Sequence, residues 1–282
     1  MTNTLPPLSH KPELRPHARV VADVQAVAAP LGVQLMMTGA FARDLHLHHA
    51  WGVPVRRETH DVDFALAVPD WAAFQALRQA LVASGLFLDV PGMLHRLRHG
   101  SGLPVDLVPF GAIETEQRQI VWPPGGDVVM DVFGFQEAWA TAVPVDLPDA
   151  VQARVVSLPA LAWLKLVCWQ DRHRRSPGKD AQDFQLILSH YLEAGNAPRL
   201  WGEFVAWTQQ DGFDYELTGA RMLGHDMRQQ LNAQARARIG AIVAQQVRIE
   251  QPGILPNEMN RNKPEQAVAQ LLALLRGLNN ED

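Results

Sequence analysis

The sequence predicts a mixed α/β (α+β) fold in its first half and a helical domain in its second half. In the first half, short apolar runs typical of strands alternate with segments of helical periodicity. From about residue 158 onward, nearly every segment has helical periodicity instead. With 282 residues, of which 47% are hydrophobic, each half can bury its own core. We therefore expect a poorly ordered N-terminus over 1–17, an α/β domain over 18–156 and a helical domain over 157–282.

Residues that end helices and an alternating pattern locate the elements of the first half. Pro30 and Gly32 end the first helix, and residues 61–68 alternate as strand residues do. A glycine-flanked turn at 100–102 suits a β-hairpin, and Asp70 can cap the helix that follows it. We expect helices over 18–29, 41–50 and 70–84, strands over 33–37 and 61–68, a hairpin of 93–99 with 105–110, and a strand pair of 127–135 with 141–146.

The second half contains no comparable strand pattern. Its apolar residues recur at three- and four-residue spacings, which is typical of helices that bury one face. We expect helices over 160–172, 180–193, 199–209, 218–248 with breaks, and 265–278.

Composition excludes several classes of protein. A single cysteine, Cys168, excludes a disulfide scaffold and fits a reducing compartment. The most apolar run, near 157–169, is interrupted by Lys165 and is too short to span a bilayer, and the N-terminus lacks the layout of a signal peptide. We therefore expect a cytoplasmic protein without a membrane segment. A net charge of -5 argues against general coating of a polyanion but leaves room for a local basic groove.

Three carboxylates are the most informative residues of the first half. Asp61 and Asp63 lie two positions apart on a predicted strand, so they share one face with small alanines, and two like charges there need a counter-charge. Asp106 lies in the second strand of the predicted hairpin. If the two strands are neighbours, the three acids converge, and such oxygen ligands suit Mg²⁺, or Mn²⁺, bound to substrate phosphates. The structural alternative is a chance Asp-x-Asp pair in a strand.

A glycine turn precedes these acids. The sequence Thr38-Gly39-Ala40 follows a buried strand and opens a helix that carries Arg43. This layout directs backbone N–H groups outward, as phosphate-binding turns do. The alternative is that Thr38 is an ordinary helix cap.

A second group of charged residues begins the helical half. Lys165 and Arg172 are seven positions apart and share one helix face. Lys179, Asp180 and Asp183 open the next helix, with the acids near its N-terminus. Either the acids cap the helix and Lys165 is a solvated cation, or Lys165, which interrupts an apolar run, is directed at triphosphate oxygens.

The residues between these two helices form a dense basic cluster. Arg172, His173, Arg174 and Arg175 are consecutive, and Lys179 follows them closely. The cluster is either a contact for a nucleic-acid backbone or nucleotide, or a solvated loop.

The order strand, glycine turn, helix, Asp-x-Asp strand and hairpin aspartate resembles the polymerase-β-like nucleotidyltransferases. Within that superfamily it is similar to the AbiEii-type enzymes, the toxin halves of some bacterial toxin–antitoxin pairs. The run 57–63 matches an Arg-x-Thr-x-Asp-hydrophobic-Asp motif, and 165–183 matches lysine, arginine and Lys-Asp-x-x-Asp motifs. The resemblance covers roughly residues 20–195. It departs at Ala40, where the family usually has glycine or serine, and this removes one hydroxyl that could contact phosphate.

The resemblance implies a nucleotidyltransferase-type mixed sheet with flanking helices, and an enzyme that moves a nucleoside monophosphate from an NTP to a hydroxyl group. It implies metal ligands Asp61, Asp63 and Asp106, and catalytic roles for these three and Lys165. The implied nucleotide-binding residues are Thr38, Gly39, Ala40, Arg43, Arg57, Thr59, Arg172, Lys179, Asp180 and Asp183.

The resemblance also implies partners. The acceptor it implies is RNA, such as a tRNA 3′ end, and an antitoxin protein would pair with the toxin. Two alternatives stay open at this point. One is a small-molecule acceptor of the antibiotic type, which the negative net charge favours, and the other is an inactive nucleotide-binding scaffold, which Ala40 favours.

Overall fold

A seven-stranded mixed sheet is the frame of the first of two units into which the chain divides, Met1–Ser157 and Leu158–Asp282. The computed structural model describes residues 5–54, 59–247 and 253–281. The strands are β1 Gln34–Thr38, β2 Val62–Ala67, β3 Phe87–Asp89, β4 Arg96–His99, β5 Pro104–Phe110, β6 Gln119–Trp122, β7 Val128–Asp131, β8 Val143–Asp146 and β9 Gln152–Val155. The helices of this unit are α1 Arg15–Ala28, α2 Gly39–Asp44, α3 Trp71–Ala83 and α4 Phe135–Ala140.

The order of the large sheet is β3-β4-β5-β2-β1-β9-β8. At its centre β2 pairs antiparallel with β1 and parallel with β5, and β5 pairs antiparallel with β4. Val62, Phe64 and Leu66 are buried, as the alternation predicts for the apolar face of β2. Asp70 caps α3 by accepting a hydrogen bond from the Ala73 N–H at 2.8 Å. The predicted mixed sheet, the β4–β5 hairpin and the adjacency of β2 and β5 are therefore confirmed.

The strand pair predicted over 127–135 and 141–146 is wrong. β7 pairs with β6 in a separate two-stranded sheet, and β8 pairs with β9 at the edge of the large sheet. Between β7 and β8 the chain forms α4, which begins after Gly134 in a left-handed conformation. β6 and β9 have four residues each, which is too short for alternation to be recognised in the sequence.

The expectation of a poorly ordered start is also wrong for residues 5–17. Leu8 and Leu14 are buried, and the Leu8 N–H donates to the Asp146 carbonyl at 2.9 Å. α1 begins at Arg15, with a proline in its first turn. Two leucines among polar residues and prolines therefore suffice to fix this segment against the sheet, because each buries a full side chain.

The helix predicted over 41–50 changes its hydrogen-bonding pattern halfway. α2 ends at Asp44, and Leu45–His49 continue as a π-helical turn. Within this turn His46 is 4% exposed, and its Nε2–H donates to the Val156 carbonyl at 2.7 Å. Burial lowers the pKa of His46 to about 4, so the ring is neutral in the folded protein.

The second unit consists of helices. They are α5 Leu158–Arg172, α6 Lys179–Ser189, α7 Ala197–Leu200, α8 Val205–Thr208, α9 Tyr215–Gln230, α10 Ala233–Ala244, α11 Ile254–Met259 and α12 Pro264–Asn279. The helix predicted over 199–209 is two short helices, and α11 is an element that the sequence pattern did not predict.

Helices α9 and α12 approach each other backbone to backbone. A Cβ added at Gly224 would lie 2.9 Å from the Leu278 nitrogen, and one added at Gly277 would lie 2.7 Å from the His225 nitrogen. Glycine is required at both positions because no side chain fits between the two helices. Within the described ranges, no helix has the length and apolar character needed to cross a membrane.

Candidate active site

Four polar side chains form a row across the central strands of the sheet. Thr38 of β1 is paired with Asp63 of β2, Asp63 with Asp106 of β5, and Asp106 with Arg96 of β4. Directly paired residues of neighbouring strands project from the same face of a sheet. The strand register therefore brings two carboxylates and a guanidinium side by side.

Asp61 completes a group of three acids. One carboxylate oxygen from each of Asp61, Asp63 and Asp106 lies within 4.8 Å of the other two. The side chains of Asp61 and Asp106 are 30% and 13% exposed, so solvent and small ligands reach them. The convergence expected from the sequence is thus present, and three hard oxygen donors at this spacing fit a divalent cation such as Mg²⁺.

Arg96 is a site residue that the sequence reasoning missed. Its Nε and Nη2 each donate to a different oxygen of Asp106 at 2.6 Å, and Nη2 lies 3.6 Å from Asp61 Oδ2. The hydrogen bond to Asp106 raises the pKa of Arg96, and the negative charges of the three aspartates add to this effect. The sequence could have indicated this role, because the turn at 100–102 sets a hairpin register that places Arg96 opposite Asp106.

The glycine turn packs directly against Asp63. Gly39 has a φ of +71°, and a Cβ added there would lie 2.5 Å from Asp63 Cγ. Thr38 is at the cap position of α2, but its side chain makes no capping hydrogen bond, and both Thr38 and Ala40 are buried. The turn therefore sets the position of an acid of the site as well as directing the start of α2.

Arg43 and Thr59 connect α2 to the segment that leads into β2. Arg43 is 3% exposed and donates to Asp44 Oδ1 from Nε at 2.8 Å and from Nη2 at 2.6 Å. Nη2 also donates to Thr59 Oγ1 at 3.3 Å. These contacts place Arg43 and Thr59 together, and a phosphate contact by either stays a prediction. Arg57, the other cation expected here, lies outside the described residues.

The second predicted group forms an ion-pair cluster within the helical unit. Lys165 is 5% exposed, and its Nζ lies 2.6 Å from Asp183 Oδ2 and 3.5 Å from Asp180 Oδ1. Arg172 donates two hydrogen bonds to Asp180, at 2.7 and 2.9 Å. Lys165 and Arg172 thus lie on one helix face, as their spacing predicts, and meet at Asp180. Lys179 is the exposed first residue of α6.

The charges of this cluster stabilise one another. Burial alone would lower the pKa of Lys165, but the carboxylates of Asp183 and Asp180 outweigh it, and the pKa lies above its usual value. Burial would raise the pKa of Asp180, yet Arg172 and Lys165 hold it below its usual value. Lys165 is therefore a charged residue with paired partners, and its interpretation as a solvated cation is wrong.

Comparison with known proteins gives one extensive match. A family model described as "Nucleotidyl transferase AbiEii toxin, Type IV TA system" matches residues 22–273. A search of curated proteins finds no match.

Six chains of solved structures match, and two of these structures show the level of similarity. One is a crystal structure of ANT(2")-Ia in complex with adenylyl-2"-tobramycin, which is 14% identical with a TM-score of 0.39, covering 67% of this chain and 97% of that one. The other is an antigenic nucleotidyltransferase-like protein from Paracoccidioides brasiliensis, which is 19% identical with a TM-score of 0.40, covering 68% of this chain and 89% of that one. The match that assigns the chain is that of the family model, over residues 22–273.

Proposed function

Because this chain belongs to the AbiEii family of nucleotidyltransferases, we propose that it transfers a nucleoside monophosphate from an NTP to a hydroxyl group of RNA with the help of Mg²⁺. The observation that carries the proposal is the group of three carboxylates within 4.8 Å of one another, two of them on the paired strands β2 and β5 and the third, Asp61, directly before β2. The sheet fixes Asp63 and Asp106 through the pairing of β2 with β5, and Asp61 is one residue before β2.

The donor set fits a divalent metal. Asp61, Asp63 and Asp106 supply only carboxylate oxygens, which are the ligands that Mg²⁺ and Mn²⁺ prefer. When bound, such an ion supplies electrophilic stabilisation of the charge that develops on triphosphate oxygens. Arg96 already pairs with Asp106, so the site balances part of its negative charge with a residue of its own.

The reaction needs a base for the acceptor hydroxyl. We assign this role to Asp106, which takes the hydroxyl proton as the acceptor oxygen bonds to the α-phosphorus and the bond from that phosphorus to the bridging oxygen of pyrophosphate breaks. Arg96 positions Asp106 through two hydrogen bonds, which leaves the carboxylate in one orientation.

We propose nucleotide-binding residues in the first unit and, as a separate assignment, in the second unit. In the first, we assign phosphate contacts to the turn around Gly39, supported by its direct packing against Asp63. The other proposed contacts there are Thr38, Ala40, Arg43, Arg57 and Thr59. In the second unit we assign Lys165 a catalytic role toward the triphosphate. Asp180 and Asp183 hold Lys165 in place through ion pairs. The residues assigned to nucleotide binding in this unit are Arg172, Lys179, Asp180 and Asp183.

The proposed acceptor and partner follow from the family. Its description as a type IV toxin supports a cellular macromolecule as the target and an antitoxin protein as the partner. We propose tRNA, modified at its 3′ end, as the acceptor, and the cytoplasm as the location, since NTPs and tRNA meet there.

The test is incubation of the protein with Mg²⁺, each α-labelled NTP in turn and total tRNA. The D61A/D63A variant should give no labelled RNA while keeping its fold by circular dichroism. The matched control is D127A/D211A, which removes two exposed carboxylates elsewhere and should leave labelling intact. Equal labelling by D61A/D63A and wild type would refute the site.

Two further outcomes redirect the acceptor. Mg²⁺-dependent NTP binding without labelled RNA would favour a small cationic acceptor, which the net charge of -5 suits. Absence of both NTP binding and labelling would favour an inactive scaffold that has also lost nucleotide binding.

A further inference from the structure

The loop between α5 and α6 is a concentrated basic surface. We define the basic loop as residues 173–179, whose sequence is His-Arg-Arg-Ser-Pro-Gly-Lys. Arg174, Arg175 and Lys179 are exposed, whereas Arg172 before them is bound to Asp180. Arg174 and Arg175 thus lie outside the ion-pair cluster of the helical unit, whereas Lys179 adds its charge to those beside Asp180.

These cations are little compensated by acids. In the part of the chain that the structure describes, no ion pair involves Arg174 or Lys179. Arg175 lies 3.8 Å from Asp171, with its side chain 66% exposed, and an exposed pair of this kind contributes little energy. No acidic residue occurs from Arg172 to Lys179.

The loop is anchored by a carboxylate from α11. Glu258 accepts hydrogen bonds from the Gly178 N–H at 3.1 Å and from Trp169 Nε1 at 2.9 Å. His173 stacks on Trp169, with ring centroids 4.9 Å apart, so both ends of the loop are attached to the same residue pair. The Glu258 side chain is 13% exposed, which strengthens these bonds.

A second segment brings further cations to the same anchor. Arg261 and Lys263 follow Glu258 by three and five residues, in the turn between α11 and α12, and both are exposed. The backbone carbonyl of Glu258 lies 3.9 Å from where a Cβ on Gly178 would be. Five exposed cations therefore lie in two segments that both adjoin one partly buried attachment point, Glu258.

We infer that Arg174 and Arg175 of the basic loop, together with Arg261 and Lys263, form the docking surface for the phosphate backbone of the acceptor RNA. The inference rests on the proposed function, since it names the surface by which the enzyme holds its acceptor. Guanidinium groups bind phosphate oxygens bidentately. Anchoring by Glu258 reduces the ordering that binding would otherwise require.

The experiment measures binding of total tRNA to the full chain by fluorescence anisotropy, without NTP, at several salt concentrations. The variant is R174Q/R175Q, which removes two cations of the loop and none of the residues assigned to the nucleotide. The matched control is R15Q/R19Q, which removes two exposed arginines of α1. NTP binding is measured in parallel by calorimetry.

Counterion release fixes the expected size of the effect. Each phosphate contact contributes about 0.7 to 0.9 to the slope of log affinity against log salt, so two lost contacts lower the slope by about 1.4 to 1.8. Between about 50 and about 200 mM salt, wild type should therefore lose about 7- to 12-fold more affinity than the variant. R15Q/R19Q should match wild type, and all three proteins should bind NTP equally.

Three results would overturn the inference. The first is an R174Q/R175Q variant with the affinity and salt slope of wild type. The second is a control that loses as much as the variant, since only net charge would then matter. The third is wild type that binds NTP but no tRNA, which would refute RNA docking while leaving nucleotidyl transfer standing. If the wild-type protein does not bind NTP, the proposed function itself is refuted.

Discussion

Replacing Gly39 by alanine should disrupt the site through a single methyl group. Gly39 has a φ of +71°, where an alanine residue costs about 1–2 kcal/mol of strain. The new Cβ would lie 2.5 Å from Asp63 Cγ and 2.8 Å from Asp63 Cβ. Ordinary contacts begin near 3.4 Å, so the carboxylate must move by about 1 Å.

A displacement of this size is large for catalysis. Misplacement of a reacting group by about 1 Å lowers rates on the order of 100-fold. We therefore expect G39A to reduce labelling of the acceptor about 100-fold in a single-turnover assay. Its free energy of unfolding in urea should fall by about 1–2 kcal/mol from backbone strain, and further if Asp63 is trapped out of position.

Gly32 provides a matched control for the strain. Its φ is +67°, and a Cβ added there would have no heavy atom within 4 Å. G32A therefore places an alanine in the same left-handed conformation without a contact to Asp63. It should keep full activity, and its free energy of unfolding should fall only by the backbone strain of about 1–2 kcal/mol. Equal activity of G39A and G32A would refute the argument that Gly39 positions Asp63.

Three further changes test other parts of the structure. K165M should lower the free energy of unfolding by about 3–5 kcal/mol, because the buried carboxylates of Asp183 and Asp180 lose the ammonium group that both of them pair with. The pKa of His46 is about 4 in the folded protein and near 6.5 in the unfolded chain, so protonation favours unfolding. The free energy of unfolding should therefore fall by about 3 kcal/mol as the pH drops from 6.5 to 4. R96Q should lower kcat about 10- to 100-fold, because two charged hydrogen bonds to Asp106 are lost. It should also lower the Mg²⁺ concentration for half-maximal activity, because the positive charge of Arg96 beside Asp61 and Asp106 opposes binding of a cation there.

Each of these has a result that contradicts it. A urea midpoint unchanged in K165M would mean that the lysine contributes no net pairing energy. For His46, the wild type should be compared with H46Q, and an identical pH dependence of the two would show that another group controls acid stability. An R96Q enzyme with a higher Mg²⁺ requirement would mean that the guanidinium supports metal binding instead of opposing it.

The sequence predicted the acids of the site because their geometry is local. Asp61 and Asp63 share a strand face by alternation alone, and Asp106 needed only one assumption, that its strand lies beside theirs. The role of Arg96 depends on hairpin register, and the contact of Gly39 with Asp63 depends on how β1 and β2 pair. Such relations arise between strands and cannot be read from either strand alone.

In the helical unit, too, the sequence predicted relations within one element but not contacts between distant elements. The spacing of Lys165 and Arg172 predicted a shared face, and an interrupted apolar run predicted a directed charge. The sequence did not indicate that Glu258, far along the chain, holds the loop between α5 and α6. Long-range hydrogen bonds of this kind leave no periodic signal, because each requires only one residue.

The close approach of α9 and α12 has a consequence for how mutational data on this chain should be interpreted. At Gly224 and Gly277 every substitution adds atoms where another backbone already lies, so all nineteen alternatives fail for the same steric reason. A saturation scan scored by growth inhibition would rank these two glycines with Asp61 and Asp63. Loss of growth inhibition on substitution would then reflect either a failure to fold or the loss of an acid of the site. Only a measurement of the amount of folded protein would distinguish the two causes.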